Sequence, residues 1–221
     1  RLVARELGIE LQVRDITEVL GAMGVYGLLP ISNLPGPKFR EAVVKLGKAL
    51  VGLNSMEKML AARFHPPADS LVAKGAAYGL VKHRLRMVLL YKEAEVHNLM
   101  VVGAANKTEW MTGTFSQWGC DQCADVMPIL HLYRSQLVPL AAYLGVPDEI
   151  RSKPADPDIL PGIDDKEALL GAFEVVDRIL WGLEHGVDRD ALVEAYGARE
   201  VGHIETLVEL SKPMRAAPYV L

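Results

Sequence analysis

Four groups of residues in this chain have the types and spacing that chemistry needs. Glu109 closes the run Asn106-Lys-Thr-Glu109, which follows the apolar stretch Leu99-Met-Val-Val102 and Gly103. A carboxylate there has two readings: the acidic partner of an Asn helix cap, or a hard oxygen ligand for Mg²⁺ beside nucleotide phosphates. Spacing alone favours the cap. Arg84 lies in Lys82-His-Arg-Leu-Arg86. Such a run is usually a solvated helix face, although an arginine fork also suits a phosphate. Asp125 could cap the turn into Pro128, and Arg134 could be an exposed cation at a helix start. A cation beside a helix N-terminus also suits a phosphate. Cys120 and Cys123 have C-x-x-C spacing. A structural zinc needs four ligands, and no second pair exists, His131 being the only nearby addition. A redox pair normally opens a helix, whereas this one lies in a loop. Two incidental thiols in a ligand loop are the preferred reading.

The elements that must hold these residues follow from periodicity. Arg1 to Gly8 reads as a helix end stopped at the glycine, and Ile9 to Ile16 alternates apolar and polar as a strand does. Val25 to Pro37 reads as loop, and Phe39, Val43, Leu46, Leu50 and Leu53 share one helical face after it. A second helix is predicted from about Leu80 to His97, delivering the chain into a buried strand at Leu99–Val102. Strand, helix and strand in that order predict a right-handed parallel crossover. Pro128 to Leu144 reads as mostly helical, with the regular helix starting shortly before Pro139 or kinking there. Asp148 to Lys153 is a short helix, and Pro154, Pro157 and Pro161 stiffen a loop. Three helices close the chain, at Lys166–Glu184, Arg189–Tyr196 and Arg199–Ser211. The expected fold is α/β: a Rossmann-like parallel sheet flanked by helices, with a helical C-terminal third, in a single domain over residues 1–221. In such folds ligands bind at the carboxyl end of a strand, which is where Gly103 to Glu109 falls.

The 221 residues carry a net charge of −4, with 50% hydrophobic and 24% charged residues. That balance argues against nucleic acid or an anionic membrane as the main partner. No apolar run approaches the roughly 20 residues that span a bilayer. Two cysteines make no disulfide framework, so a reducing cytoplasm is the expected compartment.

One stretch also resembles a known family. Gly103-Ala-Ala-Asn-Lys-Thr-Glu109 is similar to the G-T-x-N-K-x-E segment of ammonia-dependent NAD synthetases. Phe115-Ser-Gln-Trp-Gly119 followed by Asp125-Val-Met-Pro128 resembles their F-T-K-Y-G-D-G-G-x-D-I-N-P segment. Leu132-Tyr-Arg-Ser-Gln136, Tyr143-Leu-Gly-Val-Pro147 and Lys153-Pro154 with Leu160-Pro-Gly162 follow in the family's order. The resemblance implies an N-type ATP pyrophosphatase fold. It also implies ATP-dependent amidation of deamido-NAD with ammonia to give NAD, AMP and pyrophosphate, with ATP and Mg²⁺ as cofactors. It further implies a homodimer. By resemblance Glu109 is the magnesium ligand. Arg84, Gln117, Asp125 and Arg215 stand at substrate-binding positions, and Ala104, Arg134 and Asp156 at ATP-binding positions. No catalytic nucleophile is implied.

Departures from the family pattern keep two other functions open. Ala104 replaces a threonine, Gln117 a lysine, Arg134 a lysine and Asp156 a serine or threonine. Leu80 and His83 replace an asparagine and an alanine beside Arg84. Ser211-Lys-Pro-Met-Arg215 stands where a His-Lys pair precedes an arginine, and the D-G-G turn is rewritten around Cys120-Asp-Gln-Cys123. Lost cationic positions suit a related amide-forming enzyme acting on another carboxylate. The family's S-G-G-x-D-S phosphate loop is found nowhere in these residues, which suits a non-catalytic nucleotide-binding homologue. Alternatively the loop lies upstream. The expectation is that the chain is part of a longer protein, preceded by roughly 60 residues, two βα units of about 30 each.

Overall fold

A computed structural model describes residues 1–29, 31, 34–50, 60–61, 68–119, 122–153 and 172–216. Asp156, Cys120 and the loop prolines 154, 157 and 161 lie outside the described residues.

The architecture is helical. In chain order the described elements are α1 (Leu2–Glu6), α2 (Thr17–Ala22), α3 (Val25–Leu28), α4 (Pro37–Leu50), α5 (Leu71–His97), α6 (Lys107–Thr112) and α7 (Arg134–Tyr143). They continue with α8 (Asp148–Arg151), α9 (Phe173–Glu184), α10 (Arg189–Tyr196) and α11 (Ala198–Arg215). The expected parallel sheet is not found among the described residues. Among the described residues the single strand-like pairing is one parallel bridge between Val102 and Val126. Ile9 to Ile16 forms no strand and joins no ladder, and Ile9, Leu11 and Val13 are 58%, 49% and 67% exposed. The physical reason is that alternation specifies a strand's two faces, whereas a strand exists only when a neighbouring segment accepts and donates its backbone hydrogen bonds. No described segment does so here. The strand–helix–strand crossover is therefore reduced to its helix.

Local signals fared better because their partners are near in sequence. Ser70 accepts from the Ala73 amide at 3.1 Å and starts α5 nine residues before the predicted Leu80. Asn98, at φ 52°, ends it. The segment predicted as loop after Val25 contains the single turn α3. α7 begins at Arg134, five residues before Pro139, so the proline's missing N–H costs only one intrahelical bond. α10 has the predicted limits and is capped by Asp188.

Three apolar clusters hold these helices. The largest joins α9 and α11 through Ile179, Leu180, Val201, Ile204, Leu207 and Met214, all within 1% of full burial, and takes in Leu192 of α10 and Trp110 and Met111 of α6. Each such side chain contributes roughly 1.5–3 kcal/mol. Helix α6 crosses α11 so closely that Gly113, at φ +74°, has no room for a side chain: a Cβ there would lie 2.7 Å from the Ser211 Cβ. The two smaller clusters sit at opposite ends of α5. One joins Tyr78 to Leu20 and Val25 of α2 and α3, and the other joins Met87 and Ala94 to Val101.

Candidate active site

The site is built around the turn from Gly103 into α6. Val101 is buried against α5, and its carbonyl accepts from the Asp125 and Val126 amides at 2.9 and 3.3 Å. The Gly103 amide donates to the Val126 carbonyl at 2.8 Å. A Cβ on Gly103 would come within 2.8 Å of the Ala124 Cβ, so only glycine lets the two segments lie this close. Asp125 braces the same crossing: its carboxylate accepts from the Val101 amide at 2.8 Å and from the Tyr91 hydroxyl at 3.2 Å. Burial, then the neighbouring carboxylate, pushes the Tyr91 phenol up.

Ala104 is exposed at this junction, and the chain then enters α6 through the predicted capping box. The Asn106 side chain accepts from the Glu109 amide, and the Glu109 carboxylate accepts from the Asn106 amide, both at 3.0 Å. Two orphan donors of the first turn are satisfied reciprocally. The geometry fixes one carboxylate oxygen at the mouth of the turn, close to the positive end of the helix.

Behind it lies a buried junction that no local pattern announces. Thr108 and Asp177 are 1% and 3% exposed. The Thr108 hydroxyl donates to Asp177 at 2.5 Å and accepts from the Arg134 amide at 2.9 Å. The other Asp177 oxygen accepts from the Ser135 amide at 2.7 Å. The first two amides of α7 are thus capped by a residue of α6 and a residue of α9. A carboxylate suits this end of the helix, where the macrodipole is positive. Beside the junction Lys107 bridges both Glu184 oxygens at 2.5 Å, and the Tyr133 hydroxyl donates to Glu184 at 2.8 Å. The hydrogen bond from Lys107 holds the Glu184 carboxyl below its usual range, while burial and then Glu184 push the Tyr133 phenol up. The Arg134 guanidinium lies 5.6 Å from the Phe173 ring.

The remaining sequence-predicted residues fall around this turn. Arg84 on α5 approaches the Gln117 carbonyl at 3.5 Å, so those two are brought together. Arg215 is half-buried and turned inward. It donates to the Trp110 and Met111 carbonyls at 3.3 and 2.8 Å, to the Val208 carbonyl at 3.2 Å, and to the Ser211 hydroxyl. It therefore caps the C-terminal end of α6, and burial lowers its pKa. A separate cleft of about 510 Å³ between α7, α9 and α10 is lined by Trp181, Leu192 and Tyr196 among others; of the quoted motifs only Tyr133, Ser135 and Gln136 reach it.

Sequence reading missed Thr108, Asp177 and Gln122. For Asp177 a signal existed. It occupies one of the positions Phe173, Val176, Asp177 and Leu180, an i, i+3, i+4, i+7 apolar stripe in which a carboxylate has no place unless it is partnered.

A family model described as NAD synthase matches residues 43–218. The chain belongs to the NAD synthase family. Within that family it is 38% identical over 210 residues to a relative from Thermotoga maritima named NH(3)-dependent NAD(+) synthetase, covering 95% of this chain and 71% of the relative. A relative of the same name from Coprothermobacter proteolyticus is 34% identical, with 95% and 71% covered. Among solved NAD synthase-like structures, an NMN synthetase from Francisella tularensis is 28% identical with a TM-score of 0.55, covering 75% of this chain and 62% of that one. An NH3-dependent NAD synthetase from Campylobacter jejuni, in complex with nitrate, has a TM-score of 0.60 at 19% identity. It covers 100% of this chain and 69% of that one, a likeness of fold alone.

Proposed function

We propose that this chain carries out the ammonia-dependent amidation of deamido-NAD. The carboxylate attacks the α-phosphorus of ATP and pyrophosphate leaves. Ammonia then attacks the acyl carbon of the adenylate and AMP leaves, giving NAD. The observation that carries the reading is the Gly103-to-Glu109 turn, a family segment held rigid by a capping box at the start of α6.

The residues present fit a magnesium ion. Mg²⁺ in nucleotide sites is bound by one or two carboxylates with substrate phosphates and waters, and the Glu109 carboxylate at the start of α6 is a hard oxygen donor of that kind. Glu109 would hold it, and the ion would neutralise phosphate charge as pyrophosphate departs. Arg134, with its backbone fixed by Thr108, takes the phosphate role of the family lysine, as a two-pronged fork instead of a point charge. Arg84 and Gln117 take the acid substrate. Ala104, and Asp156 outside the described residues, take ATP. Asp125 and Arg215 serve the same site by shaping the turn and the end of α6. The family resemblance supports a homodimer acting in the cytoplasm as one domain. Among the described residues no helix is long and apolar enough to cross a membrane. Incubating the protein with ATP, Mg²⁺, ammonium and deamido-NAD tests the reading: NAD, AMP and pyrophosphate should appear in equal amounts. Absence of AMP release in the presence of deamido-NAD would reject it.

A second reading changes the acid. Gln117, Pro213 and Met214 stand at positions cationic in the resembled family, and each lost charge-assisted hydrogen bond is worth roughly 1.5–3 kcal/mol. Deamido-NAD should accordingly bind at least about tenfold more weakly than to a relative that keeps those cations. Calorimetric titration with deamido-NAD and with nicotinate mononucleotide checks this. Tight binding confined to the dinucleotide would sink the altered-acid reading.

A further inference from the structure

The loop that carries Gln117 is fastened to two helices. On one side Gly119 packs against α5, where a Cβ would lie 2.9 Å from the His83 Cβ. On the other side a single side chain does the fastening. The Gln122 amide oxygen accepts from the Trp118 amide at 2.9 Å, and its nitrogen donates to the Met214 carbonyl at 3.2 Å. Both bonds have a structural reason. Trp118 sits at φ 60°, a left-handed conformation unfavourable for any residue with a Cβ. Met214 lies in the last turn of α11, where carbonyls lack intrahelical partners. Gln122 also belongs to the stretch that replaces the family's D-G-G turn, so this amide bridge is a feature of this chain's own sequence.

We propose that Gln122 is a positioning residue for the acid substrate. By tying Trp118 to the end of α11 it fixes the backbone from Gln117 to Gly119, and with it the surface on which the acid is read. The proposal rests on the amidation reading above. Glutamine suits the task because its amide combines an acceptor and a donor at this reach without charge. A carboxylate would face the Met214 carbonyl at the negative end of α11.

The test is Gln122→Met, which keeps length and packing and removes both hydrogen bonds. KM for deamido-NAD should rise about tenfold, while kcat and KM for ATP stay within about twofold and the melting temperature is preserved. In the unliganded protein, NMR-detected hydrogen exchange at the Trp118 amide should accelerate at least about tenfold. Unchanged KM for the acid overturns the proposal. So does a parallel fall in kcat, ATP affinity and melting temperature, which would mark a purely structural role. If the wild-type protein forms no amide from deamido-NAD, the amidation reading fails. Gln122 is then judged on exchange alone: acceleration supports the clamp, and an unchanged rate overturns it.

Discussion

Glu109→Gln will abolish Mg²⁺-dependent turnover and leave the melting temperature within about 2 °C of wild type. The two halves of this result come from different atoms. The capping box needs an oxygen on residue 109 to accept from the Asn106 amide, and glutamine supplies one in the same place. The metal needs a carboxylate charge, which glutamine lacks. Losing several kcal/mol of charge stabilisation at the departing pyrophosphate lowers the rate by at least about two orders of magnitude. Glu109→Ala separates the roles from the other side, since it removes the cap as well and should cost about 1 kcal/mol in addition. Steady-state rates across a Mg²⁺ titration, with thermal melts of both variants, check the prediction. A glutamine variant with normal magnesium dependence would show that residue 109 only caps the helix.

Asp177→Ala will destabilise the protein by roughly 3 kcal/mol. Truncation strands the buried Thr108 hydroxyl and the half-buried Ser135 amide, and each stranded donor costs about 1–3 kcal/mol. In a domain of this size that corresponds to a fall in melting temperature of roughly 6–12 °C. Asp177→Asn, which keeps one acceptor and turns an NH₂ toward the other donor, should fall between. The exposed pair Arg189–Glu205 is the contrast: it is bidentate, yet its removal should cost far less because solvent screens it. Chemical denaturation of the three variants decides. Equal losses at Asp177 and Glu205 would mean that the junction is not the anchor of α7.

What could be read from the sequence divides by the distance between partners. The Asn106–Glu109 cap, the stop at Gly8 and the helix after Asp188 were legible because each is complete within a few residues. The motif around Glu109 was legible for the same reason, being one short segment. The sheet was not, because Ile9–Ile16 and Leu99–Val102 carry the pattern of strands without saying what lies beside them. The supports of the site were hidden for a related reason. Thr108 meets Asp177 across 69 residues, Gln122 meets Met214 across 92, and Arg215 reaches Met111 across 104. Arg215 shows the consequence most clearly. Its position in a motif pointed to substrate, whereas its donors run to the carbonyl end of α6.

The long helix α5 belongs to two cooperative units at once. At 27 residues it is about 40 Å long, and its ends are buried in different clusters. The cluster with α2 and α3 contains three buried residues among those described, against eleven in the core around α11. The rear cluster with Val101 likewise contains three. Opening free energy follows buried apolar contact, so both ends of α5 open at lower cost than the core around α11. Arg84 on α5 and the segment that leads from Val101 toward Glu109 therefore share the less protected side of the molecule, while the junction that anchors α7 stays closed with α9.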